Sequence, residues 1–235
     1  MTGVQTCALP ISKAKTDAID AQNLAIYAQE LPPRAEKSVE HEQLTDQSRA
    51  IDELKRCAAQ FRVRAQTPEL DKHSQKAYIQ AAQDLAKRAQ ELEKSLLRSI
   101  KKSELAHRFE LALSVPGVGP VLARTLVCEL AQDLSPYSTE QVAAYAGLAP
   151  IDNTSGKKTG RARIKRGNAR LKAALYMPAL SAVKSQKWAR ELYAKLRSRG
   201  RTHQQAIVAV MRRLLVRAVA VLKRGSPWQD EPLKA

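Results

Sequence analysis

The sequence predicts a mostly helical protein, and three observations carry that expectation. Apolar residues recur every three or four positions over residues 37–113 and again over 203–223, the period of one helix face. Aromatic residues are only 4% of the 235, and Gly and Pro together number 20, which is thin for a β-sandwich or barrel. Hydrophobic residues at 44% and charged residues at 27% give a globular balance with enough apolar material for a core. The predicted architecture is a long antiparallel helical hairpin followed by an all-α, or nearly all-α, C-terminal domain.

Met1–Ile11 reads MTGVQTCALPI and has no amphipathic period. It resembles the translation of a common sequencing-library adapter, with an initial GTG read as Met. An ordinary irregular N-terminus is the alternative. The adapter reading sets Cys7 aside and predicts that the natural protein begins earlier. Residues 13–30 then place Asp17, Ile19, Asp20, Leu24 and Ala28 at roughly helical spacing, ahead of Pro32-Pro33.

Leu44, Ile51, Leu54, Cys57 and Phe61, then Leu85, Ala89, Leu92, Leu96 and Ile100, form narrow seams like those of a coiled coil. Thr67-Pro68 breaks the pattern, and Thr67 is the expected N-cap of the second helix. The reading favoured is an antiparallel hairpin packing on itself or on a second copy. Two ordinary amphipathic helices on a globular core are the alternative.

Residues 114–131, SVPGVGPVLARTLVCELA, give a tight PGVG turn and an apolar helix with Pro120 in its first turn. This is similar to a helix-hairpin-helix, in which glycines let backbone N–H groups approach DNA phosphate; a plain glycine-containing helix connection has the same appearance. Ser138 and Gln141 have capping-box spacing, and that helix ends at Gly147. Residues 151–168, with Gly156, Gly160 and Gly167, are a loop by composition. Helices follow at 169–185, 187–198 and 203–223. The last is capped by Thr202 with Gln205 and buries Ile207, Val210, Met211, Leu214, Leu215, Ala218 and Leu222.

Charge narrows the partner. Formal net charge is +17, and residues 151–235 hold 21 Lys/Arg against 4 Asp/Glu, so the excess lies in the last third. A one-ended basic asymmetry points to a polyanion, nucleic acid first. No apolar run is long enough for a membrane span. Cysteines at 7, 57 and 128 make neither a disulfide framework nor a zinc site, and fit a reducing cytosol.

Two constellations could carry chemistry. Asp17 and Asp20, three apart on a helix, face one way and could help hold a divalent metal, or could be solvated helix carboxylates. Ser155 stands just ahead of eight cations and no acid in residues 157–172: Lys157, Lys158, Arg161, Arg163, Lys165, Arg166, Arg170 and Lys172. A serine hydroxyl attacking phosphate needs a base or dense positive charge, and these cations could supply the latter. A turn serine bonding its own backbone is the alternative.

Lys15-Thr16-Asp17-x-x-Asp20-Ala21, Pro116-Gly117-Val118-Gly119, Ala146-Gly147-Leu148-Ala149-Pro150, Ser155-Gly156 and Arg166-Gly167-Asn168 with Leu171 occur in that order. The series resembles the DEDD-type transposases of the insertion-sequence 110/116/902 family. The resemblance implies four segments: residues 1–12 adapter-derived, 13–34 the C-terminal remnant of a RuvC-like DEDD domain, 35–110 a coiled-coil hairpin, and 111–235 a serine transposase domain. It implies DNA recombination through a 5′-phosphoserine link, with Ser155 as nucleophile and Asp17 and Asp20 as the third and fourth acids of a Mg²⁺ site. No residue of this chain matches the first Asp or the Glu by motif, so the expected site is incomplete and the chain is expected to be inactive alone. Gly117 and Gly119 are candidate backbone–phosphate contacts. DNA, a structured guide RNA and further copies of the chain are the implied partners, in a bacterial cytoplasm. A non-catalytic nucleic-acid-binding helical protein is the alternative function.

Overall fold

The structure, a computed structural model, describes residues 37–130, 133–149, 151–155, 158–163 and 167–229. Among the described residues there are eight helices and two strands. In chain order these are α1 (Val39–Arg64), α2 (Lys72–Lys102), α3 (Ala106–Leu113), α4 (Pro120–Glu129), α5 (Thr139–Tyr145), β1 (Ile151–Ser155), β2 (Lys158–Arg163), α6 (Ala169–Ser185), α7 (Lys187–Ser198) and α8 (His203–Arg224). No helix among them is long and apolar enough to cross a membrane. The predicted helix over 13–30 lies outside the described residues.

α1 and α2 form the long antiparallel pair that the apolar spacing predicts. At 1.5 Å per residue they extend about 39 and 46 Å. Ser38 caps α1 through His41 N, and Asp71 caps α2 by accepting from His73 N and Ser74 N. Thr67 is therefore not the N-cap. It sits in the turn before it, where its carbonyl accepts from Leu70 N, and an Asp satisfying two orphan amides outcompetes it. The seam buries small residues distally, namely Ala58, Ala65, Ala82 and Ala89, with Phe61 stacked on Tyr78 at 5.7 Å. Near the base it buries Leu44, Ile51, Leu96 and Ile100, which belong to the main core.

The hairpin is thus docked on the rest of the chain as well as on itself. α4 is the centre of that docking, with Leu122–Glu129 buried in an unbroken run. A polar stripe on α1 at positions 41, 45, 48, 49 and 52 lies along it. His41 Nε2 and Thr45 Oγ1 both reach the Cys128 carbonyl, at 3.2 and 2.9 Å. The fully buried Arg124 donates to Ser48 O (3.1 Å), Ser48 Oγ (3.0 Å) and Asp52 Oδ1 (2.9 Å). A buried guanidinium is tolerated only when such partners satisfy it.

α8 closes the core. All seven of its residues predicted to be inward are buried, and the helix ends at Gly225 in the left-handed conformation. Arg217 is sandwiched between Trp188 of α7 (3.9 Å) and Trp228 of the tail (5.2 Å). Trp228 N in turn donates to Ser114 Oγ at 2.8 Å.

The segment expected to be a loop contains an antiparallel hairpin, so the C-terminal part is nearly rather than wholly α. β1 and β2 pair Ser155 with Lys158, Thr154 with Thr159 and Asn153 with Gly160, with an irregularity between Ile151 and Asn153. In the sequence Gly156-Lys157 separates the two strands, and glycine first in a two-residue spacing is a known hairpin signal. Composition alone reads glycines and cations as loop and misses it.

Candidate nucleic-acid interface

The basic segment leaves the core at α5 and rejoins it at α6, and the two ends are held together. α5 ends in a Schellman turn, with Leu148 N donating to Ala143 O and Gly147 N to Ala144 O, both at 2.9 Å, and Gly147 at φ +68. Gly167 presses on that turn from the other end. A Cβ built there would lie 2.2 Å from Gly147 N and 2.9 Å from Tyr145 O, and its φ is +122. Only glycine fits. The next residue completes the junction, with Asn168 N donating to Tyr145 O at 2.7 Å.

Asn168 uses its side chain fully. Its Oδ1 accepts from Leu171 N at 3.0 Å and caps α6. Its Nδ2 donates to Glu129 Oε2 at 2.7 Å and to Tyr145 Oη at 3.1 Å. Tyr145 Oη donates on to the Glu129 carbonyl at 3.2 Å. Glu129 is 5% exposed at the end of α4, and Arg49 of α1 reaches its Oε1 at 3.4 Å. The hydrogen bond to Glu129 raises the Arg49 pKa above its ordinary value. The end of α5 and the start of α6 are thereby tied to each other, to α4 and to α1. Sequence reasoning quoted Asn168 as part of a motif but assigned it no role, and it missed Glu129, Tyr145 and Arg49.

Of the predicted site residues, Ser155 is the last residue of β1, with Lys158 as its register partner; Arg161 and Arg163 lie on β2. Arg170, exposed, and Lys172, half-buried, stand in the first turn of α6. Arg170 lies near enough to Glu53 of α1 to help lower that carboxyl's pKa, although the Arg56 hydrogen bond is the main cause. Lys157, Lys165, Arg166, Asp17 and Asp20 lie outside the described residues. Among the described residues there is no cluster of three or more His, Cys, Asp or Glu that could hold a metal ion.

The PGVG turn joins α3 to α4. Val115 and Val118 anchor it in the core, with Val118 N donating to Val115 O at 3.0 Å. Gly117, at φ +93, faces Gln186, whose Nε2 is 2.8 Å from the place a Cβ would take. Gly119 differs. Its backbone is extended, nothing lies within 4 Å of a built Cβ, and no side chain caps α4 above it. Gly117 is required by internal packing, whereas the space beside Gly119 is open.

Comparison with known proteins finds relatives of one part of the chain. Residues 109–194 match the model of the family described as Transposase IS116/IS110/IS902 family. The chain is 40% identical over 108 residues to the insertion element IS116 uncharacterized 44.8 kDa protein of Streptomyces clavuligerus, covering 45% of this chain and 27% of that protein. It is 34% identical over 108 residues to the insertion element IS900 uncharacterized 42 kDa protein of Mycobacterium paratuberculosis, with the same shares. It is 32% identical over 128 residues to the pilin gene-inverting protein of Moraxella bovis, covering 53% of this chain and 40% of the other. The matched stretch therefore spans between about a quarter and two-fifths of these relatives' lengths.

Proposed function

We propose that the chain, whose residues 109–194 match the IS116/IS110/IS902 transposase family model, acts in DNA transposition, with Ser155 as the nucleophile. The observation that carries the proposal is the match itself. It contains Ser155, the PGVG turn, the eight cations of residues 157–172 and the Gly147–Gly167 junction. One relative is named for gene inversion, which is also a DNA rearrangement.

In the proposed step, Ser155 Oγ attacks a DNA phosphodiester. The Oγ–P bond forms, the P–O3′ bond breaks, the serine proton leaves to a base or solvent, and the 3′ oxygen departs as a hydroxyl. The product carries the 5′ phosphate on Ser155. Lys158, the register partner of Ser155, and the other cations of the segment offset charge on phosphate. Amides at the N-terminus of α4, opened by Gly119, take a neighbouring phosphate. Mg²⁺, held by Asp17, Asp20 and carboxylates beyond this pair, would supply Lewis-acid stabilisation of the phosphate oxygens. The composite site implies assembly with further copies of the chain, and a structured RNA guide is part of the same reading.

A duplex from the ends of the element that encodes the chain tests this. Denaturing gels should show a covalent protein–DNA band. Ser155→Ala should abolish the band and leave salt-sensitive DNA binding in place. A band that survives Ser155→Ala removes that residue from the role. The alternative, a non-catalytic nucleic-acid-binding protein, predicts binding without a band.

A further inference from the structure

The cations of residues 157–172 are only part of the basic excess. Residues 173–229 add twelve Lys/Arg against a single acid, Glu191. Much of that charge falls on α7 and the loop behind it. The inner face of α7 carries Ala189, buried, and Trp188, Leu192 and Tyr193 packed on the core. The exposed side carries Arg190, Lys195 and Arg197, and the loop adds Arg199 and Arg201. Glu191 is engaged with Lys187 at 3.9 Å.

Neutral solvation does not account for this set. Over residues 39–102, which span α1 and α2, thirteen Lys/Arg stand among ten Asp/Glu, three of them paired as Lys55–Glu93, Arg56–Glu53 and Arg49–Asp46, whereas residues 173–229 set one acid against twelve cations. Among the described residues, none of the five on α7 and its loop has an ion pair. Favourable interaction with the helix C-terminus covers Lys195 and Arg197 at a few tenths of a kcal/mol, roughly, but not Arg199 or Arg201 beyond it.

The position of α7 indicates what the charge is for. The helix begins at Gln186, which abuts Gly117 of the PGVG turn. From there its twelve residues run about 18 Å, the rise of about five base pairs of a duplex. The exposed side of α7 has no Asn or Gln to read adenine and presents no exposed aromatic ring for stacking on single strands. We propose that α7 and the 199–201 loop form a second track for the phosphodiester backbone of double-helical DNA, beginning at the PGVG turn. The track rests on the nucleic-acid reading above, but Lys195, Arg199 and Arg201 lie beyond residue 194, where the family match ends.

The test compares two triple variants of the whole chain on a duplex of about 30 base pairs, by fluorescence anisotropy over a range of salt. Lys195→Gln/Arg199→Gln/Arg201→Gln changes three exposed side chains that make no described hydrogen bond, so circular dichroism and melting should be unchanged. The slope of log affinity against log salt should fall in magnitude by about 2–3, near 0.9 per lost contact. The comparison variant is Lys157→Gln/Lys158→Gln/Arg161→Gln. If it lowers the slope and the α7 triple does not, the track is wrong and the DNA-binding reading stands. If neither lowers it, both fall. An RNA duplex of equal length checks the occupant: a slope change on DNA supports the track, and a change on RNA with none on DNA overturns it.

Discussion

A methyl group on Gly167 would sit 2.2 Å from Gly147 N, at a φ of +122, whereas one on Gly119 would meet nothing within 4 Å. Gly167→Ala should therefore cost about 2–4 kcal/mol, the combined scale of backbone strain and overpacking. Gly119→Ala should change stability by less than about 1 kcal/mol, the size of a cap preference, yet weaken DNA binding. Urea midpoints and anisotropy on the same two proteins check both halves. His41 makes a separate prediction. Burial holds its pKa below the usual 6.5, and Lys37 adds to the effect. A lowered folded value means stability that is complete above pH 6.5 and lost as pH falls through the folded value. Melting temperature should drop between pH 7 and 5, and His41→Gln should flatten that drop; equal slopes would contradict the assignment. The sequence marked Asn168 only as part of a motif, and its capping of Leu171 N emerges from the structure. Glu129 was not legible at all, because its acid lies at the end of an apolar run and its partners, Asn168 and Arg49, are 39 and 80 residues away.

At the scale of elements, local periodicity was a good guide wherever one face of a helix is buried. The α8 face and the break between α1 and α2 follow from it directly. Where pairing is set by backbone register, as in β1 and β2, composition could not reveal it. The docking of α1 on α4 was also hidden, since it runs through polar residues that the apolar pattern passes over. That docking has a measurable consequence. Arg124→Met removes three hydrogen bonds, one of them the charged contact with the partly exposed Asp52, and leaves the buried Ser48 without that partner. The expected loss is about 1–3 kcal/mol, read as a lower urea midpoint, the scale of leaving a buried polar group unsatisfied. An unchanged midpoint would mean that apolar contacts alone hold α1 to α4.

The basic excess of the last third has two concentrations besides the cations of α8: the eight Lys/Arg of residues 157–172, and the five of the α7 face and the loop behind it. Both adjoin elements fixed in the core by buried contacts, Glu129 and Asn168 at one and Gln186 against Gly117 at the other. The sequence located the first by counting cations after Ser155. It did not separate out the second, because helical spacing says which residues are exposed but not where the helix starts in space. The central claim remains the chemistry of Ser155. It is tested most directly with an element-end duplex bearing a 3′-bridging sulfur at the cleaved phosphate, whose thiol leaves readily and rejoins poorly. After digestion, mass spectrometry should find the DNA 5′ phosphate on the peptide containing Ser155. A phosphate on any other residue, or cleavage of the duplex with no protein adduct, would contradict the account.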